Sequence, residues 1–170
     1  MVRWMQVSML LISALQAQKK FILAAFHLDV DGVIEITASH NPMGYNSSKF
    51  VGREVKPISC ISGLRAIQQL AEENEFSLPN QRGTLTQQSI LPPYIEHLLG
   101  YINLKTIKPL RLVVNAGNGA AGHVIDAIEQ KFKQTNVSIE YIKIHHDPDV
   151  DFPNGISNPL SSMEAKHIAA

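Results

Sequence analysis

The sequence predicts an α/β fold, with mixed sheets flanked by helices, and three observations carry that expectation. Val33-Ile34-Glu35-Ile36-Thr37 is β-branched at four of five places and alternates side-chain faces, which is the pattern of a strand. Leu110 to Ile144 reads as strand, glycine-rich turn, helix and strand. Across 170 residues, 45% are hydrophobic and fifteen basic residues balance fifteen acidic ones, so the chain can bury one ordinary core or two small ones.

The first twenty residues are set apart as an atypical segment, with Arg3 near the start and an apolar run at Met9-Leu10-Leu11-Ile12. Its apolar core is short and no small-x-small cleavage site follows Leu15-Gln16-Ala17, which argues against a signal peptide. Gln6, Ser8, Ser13 and Gln16 interrupt the run, so it falls short of the ~20 apolar residues of a membrane span. A helix or a poorly packed tail is the expectation there. The strand at 33–37 then runs into the loop Thr37-Ala38-Ser39-His40-Asn41-Pro42, where proline and the residue before it favour a turn. Lys49 to Val55 reads as a second strand and Pro57-Ile58-Ser59 as the turn that leaves it. Ser62 is the expected N-cap of a helix carrying Leu64, Ile67, Leu70 and Ala71 and closing at Glu72-Glu73-Asn74. Ser77 to Thr86, with Pro79, Asn80 and Gly83, has the composition of a connector, and it divides a first domain at 21–84 from a second at 85–170.

In the second domain a helix begins at Pro92-Pro93, prolines being acceptable in a first turn, with Tyr94, Ile95, Leu98, Leu99 and Ile102 on one side. Leu110 to Asn115 is a strand. His123 to Gln134 is a helix with the stripe Val124, Ile125, Ala127, Ile128 and Phe132, and Val137 to Ile144 is the next strand. Such a unit favours a parallel pair joined by a right-handed crossover. His145 to Pro159 reads as loop.

Several chemistries are disfavoured by detail. No basic stripe or aromatic-basic interleaving offers a footprint for nucleic acid or an anionic membrane. Cys60 has no partner at disulfide or metal spacing and is expected to be a small buried or half-buried residue in a reducing compartment. Asp147-Pro148-Asp149-Val150-Asp151 fails as a calcium loop, since Phe152 stands where glycine is needed and Asn158 where a bidentate glutamate belongs. His145 and His146, adjacent on extended chain, point to opposite faces. One rival survives. Gly117, Gly119 and Gly122 fit G-x-G-x-x-G between a strand and a helix, the context of a dinucleotide fingerprint, although the candidate ribose-binding acid, Glu140, lies in mid-strand.

The loop Thr37-Ala38-Ser39-His40-Asn41-Pro42 resembles the active-serine signature of the alpha-D-phosphohexomutases. Tyr45-Asn46 and Lys49 fit the family's continuation, Val113 to Gly119 resembles its second-domain strand and turn, and Phe152-Pro153-Asn154-Gly155 with Asn158-Pro159-Leu160 resembles the loop beyond. Phe26-His27-Leu28, Gly63-Leu64-Arg65 and His97 to Asn103 are most similar to the bacterial phosphomannomutases of GDP-mannose synthesis. The resemblance spans residues 21 to 160. It implies the end of the family's domain I and the start of its domain II. It also implies that Ser39 carries a phosphate exchanged with a hexose phosphate, mannose or glucose 1- or 6-phosphate, and that this phosphoserine ligates Mg2+. His40 and Lys49 would flank the transferring group, and Asn41 would fix the loop and bind substrate. Those roles suit the chemistry, because phosphoryl transfer needs in-line positioning and cationic stabilisation more than a strong base.

The family's Asp-Gly-Asp-x-Asp-Arg loop, with three carboxylate ligands for the metal, does not occur in the sequence. The expectation is therefore a cytoplasmic phosphohexomutase fragment that is inactive alone, or active only with a second chain that supplies the missing domains. A catalytically silent α/β binding module or remnant is the alternative. Ser47 and Ser157 replace a glycine and a proline of the family pattern, and Lys19-Lys20-Phe21-Ile22-Leu23 replaces an acidic segment. A one-nucleotide change of reading frame would produce that replacement, so the N-terminus is expected to be a frameshifted remnant, testable in the upstream DNA.

Overall fold

The computed structural model describes residues 9–12, 18–37, 41, 44–74 and 83–155. They belong to two compact units, one made of Met1–Glu35 with Lys49–Ile90 and the other of Ile36–Ser48 with Leu91–Ala170.

In the first unit, β1 (Met9–Ile12) runs parallel to a later strand, β4 (Thr84–Gln87), with Met9 opposite Thr84 and Ile12 opposite Gln87. This corrects two expectations. Residues 9–12 are not a helix or tail, and the expected connector at 77–86 runs into a strand, because each short stretch finds its hydrogen-bonding partner far away in sequence. Between them, α1 (Gln18–His27) buries Phe21 and Ala25, one turn apart, and packs against the short helical turn Arg53–Val55. Lys20 is only 2% exposed, and burial pushes its ammonium below the ordinary lysine range.

β2 (Gly32–Thr37) pairs with β3 (Ser47–Gly52). The contacts Asp31 to Arg53, Glu35 to Lys49 and Thr37 to Ser47 climb one strand while descending the other, so the pair is an antiparallel hairpin. The second strand stops at Gly52, short of the expected Val55, because Glu54 and Val55 take left-handed backbone angles. The Ile58 N–H then donates to the Phe50 carbonyl at 3.0 Å and Val51 bridges Pro57.

α2 (Arg65–Glu73) closes at Asn74 as expected, in a left-handed C-cap. Its cap is not Ser62. Leu64 stands at that position without a side-chain cap, and Ser59 instead caps the wide turn Cys60–Leu64 that leads into the helix, its Oγ accepting from the Ser62 N–H while the Ser59 N–H donates to Ser62 Oγ at 2.7 Å. Gly63, at φ +143°, interrupts the helical path between cap and helix. Cys60 opens this wide turn and is exposed, contrary to the burial expected of it, since no element among the described residues covers the turn's outer side, where Ile61 is also fully open.

In the second unit, α3 (Leu91–Leu99) holds Pro92 and Pro93 in its first turn and buries Tyr94 and Ile95. β5 (Leu110–Asn115) and β6 (Ile139–Ile144) are parallel, in register from Leu110 opposite Ile139 to Asn115 opposite Ile144. α4 (Gly122–Gln134) connects them and buries Val124 and Phe132 of its apolar stripe, with Ile125, Ala127 and Ile128 half-buried. It packs on α3 and on β6.

Candidate functional site

Two places in the fold attract chemistry: the loop between β2 and β3, and the turn between β5 and α4. β2 delivers the first. Its ladder ends at Thr37, whose carbonyl accepts a hydrogen bond from Ser47 Oγ at 2.5 Å, and this closes the hairpin at the base of the loop. Ser39 and His40 lie outside the described residues. Asn41 is exposed. Gly44 has φ +90° with open space around it, and Tyr45 is exposed beyond it.

Lys49, on β3, sends its Nζ to within 3.6 Å of Glu35 Oε2. Glu35 is 8% exposed, while its strand neighbours Ile34 and Ile36 are 60% and 66% exposed. The strand thus turns its carboxylate inward and two isoleucines outward. Sequence reading passed over Glu35, because alternation shows that a strand has two faces without showing which one is covered.

The glycine-rich turn is bound to the loop that follows β6. Asn115 Oδ1 accepts from the Gly117 N–H at 2.9 Å, and Gly117 and Asn118 both adopt left-handed angles. The Asn118 N–H donates to the His145 carbonyl at 2.8 Å, and its Nδ2 to the Asp147 carbonyl at 3.0 Å. In return the Asp149 N–H donates to the Asn118 carbonyl at 2.9 Å and Asn154 Nδ2 to Asn118 Oδ1 at 2.8 Å. Gly122 is needed for contact. A Cβ there would stand 2.1 Å from the His146 carbonyl oxygen. Glu140, the candidate ribose acid, pairs instead with Arg111 across the ladder at 3.1 Å. These glycines and this acid have structural occupations, which weighs against the dinucleotide reading.

Beside the turn, Lys143 Nζ reaches Asp126 and Glu129 of α4, each at 2.6 Å, and His146 Nε2 lies 2.9 Å from Asp126 Oδ1. Lys133 also pairs with Glu129 at 2.6 Å. The hydrogen bond from Lys143, then that from His146, holds the Asp126 carboxyl below its usual range; Lys133 and then Lys143 do the same for Glu129. Lys143 is raised in turn, by Asp126 first. The acidic run after β6 folds locally, Asp149 Oδ1 accepting from the Asp151 N–H at 2.9 Å. Among the described residues no group of three or more His, Cys, Asp or Glu side chains could hold a metal ion, and no helix is long and apolar enough to cross a membrane.

Comparison with known proteins matches residues 6–77 to the phosphoglucomutase/phosphomannomutase alpha/beta/alpha domain I and residues 92–170 to the corresponding domain II. The domain I match takes in much of the segment 1–20. A phosphomannomutase of Escherichia coli is 56% identical over 149 residues, which are 86% of this chain and 33% of that one. A phosphomannomutase of Vibrio cholerae serotype O1 is 53% identical over 142 residues, 84% of this chain and 31% of its own length. The chain therefore spans about a third of the length of the curated relatives it matches. Among solved structures, a putative phosphomannomutase from Thermus thermophilus superposes with a TM-score of 0.70 at 20% identity, over 94% of this chain and 36% of that one, a likeness of fold. A phosphoglucomutase/phosphomannomutase family protein from Burkholderia thailandensis gives a TM-score of 0.64 at 28% identity, over 82% of this chain and 28% of its own.

Proposed function

Because the chain belongs to the phosphoglucomutase/phosphomannomutase family, we propose that it acts in reversible phosphoryl transfer between C1 and C6 of a hexose phosphate, with Ser39 as the phosphate carrier. The observation that carries this reading is the match to both family domains together with a serine loop at the end of β2. In the forward step the bond between phosphorus and Ser39 Oγ breaks and a bond to the free sugar hydroxyl oxygen forms. The hydroxyl proton passes to His40, and Lys49 offsets the charge on the phosphoryl oxygens. The resulting bisphosphate returns its other phosphate to Ser39, and Asn41 fixes the loop and contacts substrate. The expected setting is cytoplasmic, with mannose or glucose phosphate as substrate.

Magnesium belongs to this reading through the family resemblance alone. Among the described residues no ligand set fits it, so no step of this reaction is drawn through the metal. The competing reading is a silent α/β module. Intact-mass measurement after incubation with glucose 1,6-bisphosphate separates the two. A phosphate adduct that disappears in Ser39→Ala is the expected result, with mutase turnover appearing only when the remaining domains of a longer relative are added. No adduct would leave the silent module.

A further inference from the structure

We propose that Glu35 is a positioning residue that holds the Lys49 ammonium in place for an incoming phosphate; this rests on the phosphoserine reading of the loop it precedes. The strand that carries it is inverted. β2 faces a carboxylate inward and exposes Ile34 and Ile36, although burying the isoleucines and exposing the glutamate would satisfy hydrophobic burial. A buried carboxylate is costly unless paired, and Glu35 Oε2 has no hydrogen-bond partner among the described residues. Its neighbour in charge is Lys49 Nζ at 3.6 Å. Such an arrangement is a poor stabiliser, which points to a role outside stability.

The lysine is built for two partners. Its side chain is 40% exposed, so the ammonium has one side toward Glu35 and another toward solvent. An ammonium carries three donors, enough to keep one on the carboxylate while the others meet phosphoryl oxygens. Glu35 and Lys49 sit opposite each other on adjacent strands, which fixes the stem of a long, otherwise mobile side chain. Glu35 acts through Lys49 and touches no substrate. Its effect is to pre-orient a cation whose entropy would otherwise be lost at the moment of transfer.

The test uses the full chain and two readouts. The first is the acylation rate of the Lys49 amine by an amine-specific acetylating reagent, followed by peptide mass spectrometry. The second is the rate of phosphate-adduct formation at saturating glucose 1,6-bisphosphate. Glu35→Gln is expected to raise Lys49 acylation by about threefold and to slow adduct formation by about tenfold, with the half-saturating donor concentration little changed. Glu35→Asp should recover most of both, and Glu35→Gln should add nothing in a Lys49→Met background. Unchanged Lys49 acylation in a folded Glu35→Gln chain would overturn the proposal, as would a full additional loss in the double variant. If the wild-type chain forms no adduct, the phosphoserine reading fails, and the acylation readout still decides whether Glu35 holds Lys49. Should Glu35→Gln not fold, Glu35→Asp and Lys49→Met carry the comparison: an acylation rate in Glu35→Asp like that of wild type supports the pairing, and one raised as far as for a free lysine refutes it.

Discussion

Asn118 occupies the middle of the glycine-rich turn and uses both its backbone groups and both ends of its side-chain amide on the segment 145–154. Replacing it with alanine removes two side-chain hydrogen bonds and leaves at φ +54° a residue that tolerates that angle less well than asparagine, which should cost about 2–4 kcal/mol in denaturant unfolding. Asn118→Gly keeps the backbone angle accessible and should cost less, about 1–3 kcal/mol. Gly122→Ala is a separate case, since the new methyl group meets a backbone carbonyl that no side-chain rotation can clear. Its expected cost is about 1–3 kcal/mol, read by the same unfolding measurement. None of this was legible at the residue itself. The sequence places Asn118 between two glycines in a run that resembles a family turn, but its partners lie 27 to 36 positions away, His145 to Asn154, where no local pattern links them to the turn.

At the level of elements, α4 is clamped to β6 by Lys143 between Asp126 and Glu129. The two carboxyls are lowered in the folded chain, so their contribution is present above the ordinary carboxylate range and is lost as pH falls through their folded values. Lys143 is raised, so its contribution is present below the ordinary lysine value and is lost as pH rises through its folded one. Thermal melts should therefore show a plateau at intermediate pH with a fall on the acid side, and Lys143→Met should flatten that fall. A Lys143→Met melt with unchanged acid sensitivity would show that other carboxyls dominate. The elements so joined were readable in advance, because β5, α4 and β6 each carry the period of their own structure within one window. β1 and β4 were not. Each is four residues long and owes its existence to the other, so a window around either one holds half of the cause.

For the molecule as a whole, the two-stranded parallel sheet of β5 and β6 is covered by α4 on one side. Val113, Ile142 and Ile144 share the opposite face in register, and Val113 is 64% exposed. Parallel sheets are ordinarily covered on both faces, and an open apolar face beside strand edges that pair with nothing among the described residues favours association. Sedimentation velocity should show concentration-dependent self-association that Val113→Lys with Ile142→Glu suppresses, the new pair being cross-strand neighbours of opposite charge. A monomer at all concentrations would refute this. The α/β class and the order of motifs were legible from strand and helix periods and from the serine loop, whereas the covered faces were not, since burial depends on what packs from elsewhere.

The strip Ile36–Ser48 is grouped with Leu91–Ala170, not with the chain that flanks it. A chimera spliced at residue 90 would accordingly seat one parent's serine strip on the other parent's second half, mixing lineages at the spot where chemistry is proposed. Both ends of the strip nevertheless continue into one hairpin, β2 with β3, so a junction inside either strand would give each a mixed ancestry. Hybrids that inherit 32–52 as one block from a single parent, with Glu35 and Lys49 both inside it, are the ones expected to keep a native hairpin.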